Sequence, residues 1–327
     1  MSMGPGRRLN LAFLGCGAIT AAHGRTLGRF RDRVRCFYAS RDGEKAMAFE
    51  RRFGGRGSFA SYEAALADGR IDAVFVATPP ASHLDLTLQA LGQGKDVIVE
   101  KPSFLRAADF DAVAVAQARS GGRVLVAENY CYKPLARVLR ESLAAGVVGE
   151  VRFLQVNAVK HQATAGWRND AGPGGGALFE GGIHWIDLMA HLGPAVRSVR
   201  GFRPGPGAGV ERSMLVVVEY EGGAVGTLTH SWEVPSPLGG LRLSRIHGTG
   251  GSIVFESYGL FVLVWGRRRS LVLPGLADVA GYDAMFDDFL RALETGREPL
   301  MTSARARRDL ELVEAAYRTA DAGGRAA

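Results

Sequence analysis

Near-continuous apolar runs at residues 9–14, 34–39, 71–77, 96–99 and 124–127 are too short for helices and show no polar face. Parallel strands buried on both faces read in this way. Between them, apolar residues recur at helical spacing over 20–30, 43–53, 82–91 and 107–119. Strand and helix alternate, which predicts a doubly wound parallel sheet of the α/β class. Beyond Pro134 the pattern changes. A helix over 135–145 ends at Gly146, and longer strands follow over 151–159, 214–220, 224–232, 241–247, 252–256 and 260–265. Gly-containing turns such as Glu221-Gly222-Gly223 join several of them, so hairpins and a mostly antiparallel open sheet are expected. A helix over 177–192 interrupts this sheet behind a glycine-rich loop, residues 201–209 read as an exposed loop, and 282–320 reads as two helices around Pro299. Two domains follow: an α/β domain over 1–130 and an α+β domain over 131–327, whose last helices can pack back on the first.

Composition narrows the class without changing this outline. A chain of 327 residues corresponds to about two domains at roughly 150 residues each. With 47% hydrophobic and 22% charged residues it reads as globular, and no apolar run approaches the roughly 18 residues of a membrane-spanning helix. The formal charge is +7, from 40 basic and 33 acidic residues. Only Lys45, Lys95, Lys101, Lys133 and Lys160 are lysines, so the positive charge is scattered arginine. No nucleic-acid reading module accompanies it, and a solvated surface explains it better than a nucleic-acid partner. Cys16, Cys36 and Cys131 match no zinc spacing and read as free thiols in a reducing cytoplasm. Arg7-Arg8 before LNLAFLGC imitates a signal peptide, but no cleavage site follows and a buried first strand explains the run.

Candidate chemistry begins at Gly15-Cys16-Gly17-Ala18-Ile19-Thr20, directly after the first strand and opening a helix. The dinucleotide fingerprint places a tight turn and a close backbone approach at such glycines, with phosphate at the helix N-terminus. Thr20 stands where the third glycine is usual. Gly15, Gly17, Ala18 and Ile19 are the expected pyrophosphate contacts of a Rossmann domain. The second strand ends at Ser40-Arg41, where an NAD site would carry an acid. Ser40 leaves a 2′-phosphate unopposed and Arg41 offers it a fork, so NADP is expected in preference to NAD, with Asp42 capping the next helix. The strand before Thr78-Pro79-Pro80-Ala81-Ser82-His83 stops at a rigid lip on the ligand-binding edge of the sheet, with Ser82 a candidate helix cap. Thr78, Pro79 and His83 are counted with the cofactor site, as are Glu100 and Lys101 of Glu100-Lys101-Pro102, although His83 also fits a structural role.

Taken together, GCGAIT with His23 three residues beyond, ATPPASH, EKP, GGGALFEGGIHWID and the closing Glu298-Pro299 resemble the glucose-fructose oxidoreductase, inositol dehydrogenase and rhizopine-catabolism (Gfo/Idh/MocA) family along nearly the whole chain. The resemblance implies a nicotinamide-dependent oxidoreductase acting on sugars, keto-sugars, inositols or related polyols, assembled as a homodimer or homotetramer through its C-terminal sheet. It also implies the catalytic group Lys101, Glu180 and His184, with Glu180 where the family usually has Asp. Positions four and seven apart share a helix face, so Glu180, His184 and Asp187 can look into one cleft. Asn129, Tyr132, Trp167 and Arg168, with Lys101, His184 and Asp187, are the substrate candidates. No metal is expected, because Glu180, His184, Asp187 and His191 would span ~16 Å of one helix. Two alternatives stand beside this reading: a relative that uses bound NAD transiently to cleave glycosides, and a nucleotide-sensing regulator without turnover.

Overall fold

The computed structural model describes residues 7–169, 174–205, 209–236 and 240–323. In chain order its elements are β1 (Leu9–Leu14), α1 (Ala18–Leu27), β2 (Val34–Ala39), α2 (Gly43–Phe53), β3 (Ser58–Phe59), α3 (Tyr62–Ala67), β4 (Ala73–Val76), α4 (His83–Gly92), β5 (Asp96–Glu100), α5 (Asp109–Ser120) and β6 (Val124–Ala127). Then come α6 (Pro134–Ala144), β7 (Val151–Val159), α7 (Ile183–Leu192), β8 (Val196–Phe202), β9 (Ser213–Tyr220), β10 (Val225–Ser231), β11 (Leu243–Gly248), β12 (Gly251–Glu256), β13 (Val262–Trp265), β14 (Arg269–Val272), α8 (Tyr282–Thr295) and α9 (Ser303–Gly323). Two compact units divide them: Met1–Glu128 with Tyr282–Arg307, and Asn129–Gly281 with Arg308–Ala327.

The first unit is built on a six-stranded parallel sheet in the order β3-β2-β1-β4-β5-β6. This is the doubly wound order whose direction of travel reverses between β1 and β4. The apolar runs are what make it: every residue of β4 is fully buried, and Phe13 stacks between Tyr38 and Phe75 at ring distances of 5.5 and 5.1 Å. Helix α8, although late in the chain, belongs to this unit and buries Phe286 and Phe289. The two-residue β3 and the short α3, capped by the Ser61 hydroxyl accepting from Ala64 N at 3.1 Å, add to the predicted elements.

The second unit carries an eight-stranded sheet in the order β14-β13-β12-β11-β7-β10-β9-β8. It is antiparallel apart from the pair β7 and β10. One face is closed, with Leu154, Val156 and Leu228 buried. The other leaves Phe153, Phe202, Leu215, Leu263, Trp265 and Leu271 exposed, and two cross-strand pairs, Phe202 with Leu215 and Leu263 with Leu271, lie on it. The expected loop over 201–209 begins two residues later than predicted, because β8 runs to Phe202, and residues 206–208 lie outside the described residues. Among the described residues no helix is long and apolar enough to cross a membrane.

Asp42 caps α2 as its position suggests, its Oδ1 accepting from Lys45 N at 3.2 Å. Losing a cap of this kind costs about 0.5–2 kcal/mol. Asp42→Ala is therefore expected to lower unfolding free energy in urea by that amount, while the ratio of NADP to NAD affinity stays as in the native chain. A changed ratio would show that Asp42 serves the ribose instead.

Candidate functional site

In the first unit, the carboxyl ends of β1, β2, β4 and β5 gather the residues singled out from the sequence. Gly15 adopts φ 111°, and a Cβ there would lie 2.7 Å from the carbonyl oxygen of Ala77. Only glycine lets the turn after β1 rest on the end of β4. A Cβ on Gly17 would meet nothing within 4 Å, so space lies open over the turn. Helix α1 starts there with no side-chain cap and no acid in its first turn. Its first N–H groups and the positive end of its dipole are thus left for an anion. Thr20, standing for the third glycine, is fully buried and donates its hydroxyl to Gly15 O at 2.7 Å, which ties the turn together. Bare glycine, open space and an unclaimed helix start fit the pyrophosphate of a dinucleotide. Ala18 and Ile19 form the first turn of that helix.

Ser40 is buried, and its Oγ accepts from Asp42 N at 3.2 Å, while Arg41 is exposed beside Tyr62. At the lip after β4, the Ser82 hydroxyl turns back to Thr78 Oγ1 at 2.7 Å and to Pro79 O, so it does not cap α4 as expected. His83 is buried beneath the lip. Its Nε2 meets Thr78 O at 2.8 Å, and its Nδ1 meets Pro102 O and Ser103 O at 3.0 and 3.1 Å. It therefore pins the end of β4 to the segment after β5. Burial pushes its pKa below the ordinary histidine value, and the surrounding carbonyls oppose that shift. Glu100 is buried as well. Its Oε1 lies 2.5 Å from His23 Nε2, and its Oε2 accepts from the backbone N of Lys101 at 3.0 Å.

In the second unit the glycine-rich loop, of which 170–173 lie outside the described residues, leads to Gly176 at φ 105°. A side chain at Gly176 would collide with the Glu211 carboxylate. The helix expected over 177–192 starts as a π-helical turn, Leu178–Gly182, and becomes regular at Ile183. Single π turns of this kind occur often at functional sites. Glu180 sits in that turn, with Oε1 3.2 Å from Arg168 Nε, and Arg168 also lies over the Trp167 ring. His184 stacks flat against Tyr130, at 4.0 Å and 9°, and Trp185 meets Tyr130 edge-on. Lys133 Nζ lies 4.3 Å from the centre of the Tyr130 ring. Asn129 donates to Ala280 O at 2.6 Å, and Tyr132 is buried.

Within this unit Glu180 is thus paired with Arg168, and His184 with Tyr130. Three further residues place Asp187 about 60° from His184 round the helix, on the same face. Asp187 is fully buried, 3.7 Å from His191 Nε2, which in turn lies 3.2 Å from Asp309 of α9. The ligand atoms of these three lie within 4.8 Å of one another, as in a histidine held between two carboxylates. His230 was not singled out from the sequence. It is buried at the end of β10, where a Cβ on Gly181 would come 3.2 Å from its Nε2. Its alternating inward position in the strand is the one signal that could have found it.

A parallel sheet that reverses beside a bare helix start defines a dinucleotide-binding Rossmann unit, here joined in one chain to a unit built on an open sheet. The family described as oxidoreductase family, NAD-binding Rossmann fold, matches residues 9–128, and the GFO/IDH/MocA C-terminal domain matches residues 136–254. The chain belongs to the GFO/IDH/MocA oxidoreductase family. It is 32% identical to an uncharacterized oxidoreductase of Rhizobium meliloti over 60% of each chain. It is 26% identical to D-xylose 1-dehydrogenase (NADP(+)) 2 of Haloferax volcanii over 87% of this chain and 89% of that one. GenD2 from gentamicin A biosynthesis, in complex with NAD, superposes with a TM-score of 0.84 at 27% identity, covering 99% of this chain and 97% of that one. Levoglucosan dehydrogenase in complex with NADH shares the fold, with a TM-score of 0.86 at 21% identity over 97% of this chain and 98% of that one. The chain spans about three fifths of the length of the curated relatives it matches first, at 60%, 63% and 58%.

The turn that carries Glu180 is anchored from below by Glu211. Its Oε1 accepts from Leu178 N at 2.6 Å, and its Oε2 accepts from Tyr317 Oη, which itself accepts from Phe179 N. Burial pushes Glu211 up from the usual 4.5 to about 7, against the pull of these donors. A carboxyl whose folded pKa is raised lends its full stability below the unfolded value and loses it as pH rises through the folded one. Native stability should therefore fall between about pH 4.5 and 7, by at most about 3 kcal/mol from this group. Glu211→Gln keeps the shape and an acceptor but cannot titrate. In urea unfolding at pH 5 and pH 8 it should lose less stability than the native chain, and equal losses in both would contradict this placement.

Proposed function

We propose that the chain is a nicotinamide-dependent dehydrogenase or reductase, with NADP preferred, acting on a hydroxyl or ketone of a carbohydrate-like substrate. One observation carries the reading: the sheet edge that presents the bare start of α1 also presents Lys101, with its backbone amide held by Glu100. When bound there, a nicotinamide dinucleotide supplies the acceptor or donor of hydride. Every other task falls to side chains of this chain. In the oxidation direction Lys101 stabilises negative charge developing on the substrate oxygen, and the hydroxyl proton leaves by way of Lys101 and His184. Reduction reverses these roles. Tyr130, stacked on His184, fixes the plane of its imidazole, and Arg168 holds the Glu180 carboxylate near the same helix. Asn129, Tyr132, Trp167 and Arg168 supply aromatic faces and hydrogen-bonding groups of the kind a sugar ring takes.

The cofactor choice rests on Ser40 and Arg41, since relatives bear both NAD and NADP in their names. Asp42, the nearest carboxylate, is engaged at the start of α2, which supports a site open to a 2′-phosphate. A cytoplasmic setting is supported by three free thiols, of which burial pushes Cys16 up to about 11 and Cys36 up to about 12. The exposed pairs Phe202 with Leu215 and Leu263 with Leu271 support homo-oligomer formation through the open sheet.

Sugars, inositols and keto-sugars should be screened with both cofactors by nicotinamide absorbance. Net reduction or oxidation of free cofactor is expected, and glycoside cleavage without it would sink the reading. On the substrate so found, Lys101→Met should lower kcat by about 10²–10⁴-fold, the range for a positioned acid-base group. Cofactor affinity should hold within about twofold, because the glycine turn does the binding. Near-native kcat in Lys101→Met would remove the lysine from the reaction. NADP should bind at least about tenfold tighter than NAD, the lower end of one charged hydrogen bond. Arg41→Ala should abolish that preference and Ser40→Asp reverse it; equal binding by the native chain would refute the assignment.

A further inference from the structure

His23 lies in the second turn of α1, the helix whose start is open to the cofactor, and it is fully buried. Three aromatic rings surround it: Phe75 of β4 at 4.8 Å, and Tyr282 and Phe286 of α8 at 4.9 and 5.2 Å. Its Nε2 lies 2.5 Å from Glu100 Oε1. Its Nδ1 has no hydrogen-bond partner among the described residues, so the ring proton belongs on Nε2, where it donates to the carboxylate. The other carboxylate oxygen accepts from Lys101 N. One buried acid therefore joins the cofactor-binding helix to the backbone of the lysine.

Stability does not account for this arrangement. A polar pair taken out of water gains little over well-packed apolar side chains of the same volume, and an unmet buried nitrogen is a further cost. The aromatic cage has the character of a site for leucine or phenylalanine. What the histidine adds is direction. It spends its one donor on Glu100, leaving the opposite oxygen aimed at the lysine amide.

We propose that His23 is a positioning residue for Lys101, acting through Glu100. The inference rests on the proposed role of Lys101 and adds to it the means by which the lysine is aimed. A carboxylate shared between α1 and the end of β5, one oxygen to each, fixes the lysine backbone relative to the helix that receives the cofactor. Misplacement of a reacting group by about 1 Å is enough to cost ~10²-fold in rate.

The test uses His23→Leu, which fits the cage and removes the donor, and His23→Gln, whose amide reaches Glu100 in place of Nε2. Full-length protein with bound cofactor is treated with a limiting amine-methylating reagent, and labelling of each lysine is followed by peptide mass spectrometry. In His23→Leu the labelling rate of Lys101 should change by at least about threefold, while the exposed Lys45 and Lys160 label as before. His23→Gln should return Lys101 to within about twofold of the native rate. In turnover, His23→Leu should lower kcat by about 10-fold to 10²-fold with cofactor affinity within about twofold, measured by fluorescence titration. A merely structural histidine would loosen cofactor binding along with kcat, because it sits in the binding helix. If His23→Leu does not fold, Glu100→Gln carries the same labelling measurement and the same expectation. Unchanged Lys101 labelling in the folded variant would overturn the proposal. Native kcat in Lys101→Met would instead overturn the functional reading beneath it.

Discussion

The first unit depends on a reversal in its sheet. From β1 the chain builds outward to β2 and β3, and from β4 it builds the other way to β5 and β6. Between the carboxyl ends of β1 and β4 the connecting segments diverge and leave a crevice. Gly15 closes the floor of that crevice by resting on Ala77 O, a contact that any side chain would destroy. Ser40, Thr78 and Lys101 follow the ends of β2, β4 and β5, so the same register that pairs the strands brings them to one edge. Position, more than any single motif, makes these residues a set.

Buried polar ties then hold the edge in shape. His83 joins the lip after β4 to the segment after β5 through three carbonyls. Glu100 joins β5 to α1 through His23. Each tie costs desolvation and is worth little as stability, so what it secures is geometry. The second unit uses the same economy. Glu211 meets the first N–H of the π turn, a glycine at 176 makes room for its carboxylate, and Glu180 and His184 are presented from a helix fixed at its root. The raised pKa of Glu211 is the cost of that placement.

Most of this was legible in the chain. Strands such as β4 and β5 are uniform apolar runs, and the glycine turn follows one directly. What escaped had physical reasons. β3 is two residues long and shows no period. β8 and β14 carry arginines on exposed edges, so Arg197, Arg200 and Arg269 broke the apolar signal. The π turn differs from a helix by one residue, which periodicity does not resolve. His23 and Glu100 are 77 residues apart, and nothing local in either segment announces the other. The candidate site was readable as residue types near strand ends; the bonds that aim them were not.

In the proposed reaction a hydride moves between a hydroxyl-bearing carbon and a dissociable nicotinamide cofactor. The most direct measurement supplies the substrate with deuterium on that carbon and oxidised cofactor, then follows the label by mass spectrometry. One deuterium is expected in the reduced, released cofactor and none returned to the sugar. Deuterium retained in a cleaved or rearranged sugar, with no label in released cofactor, would contradict the proposed reaction.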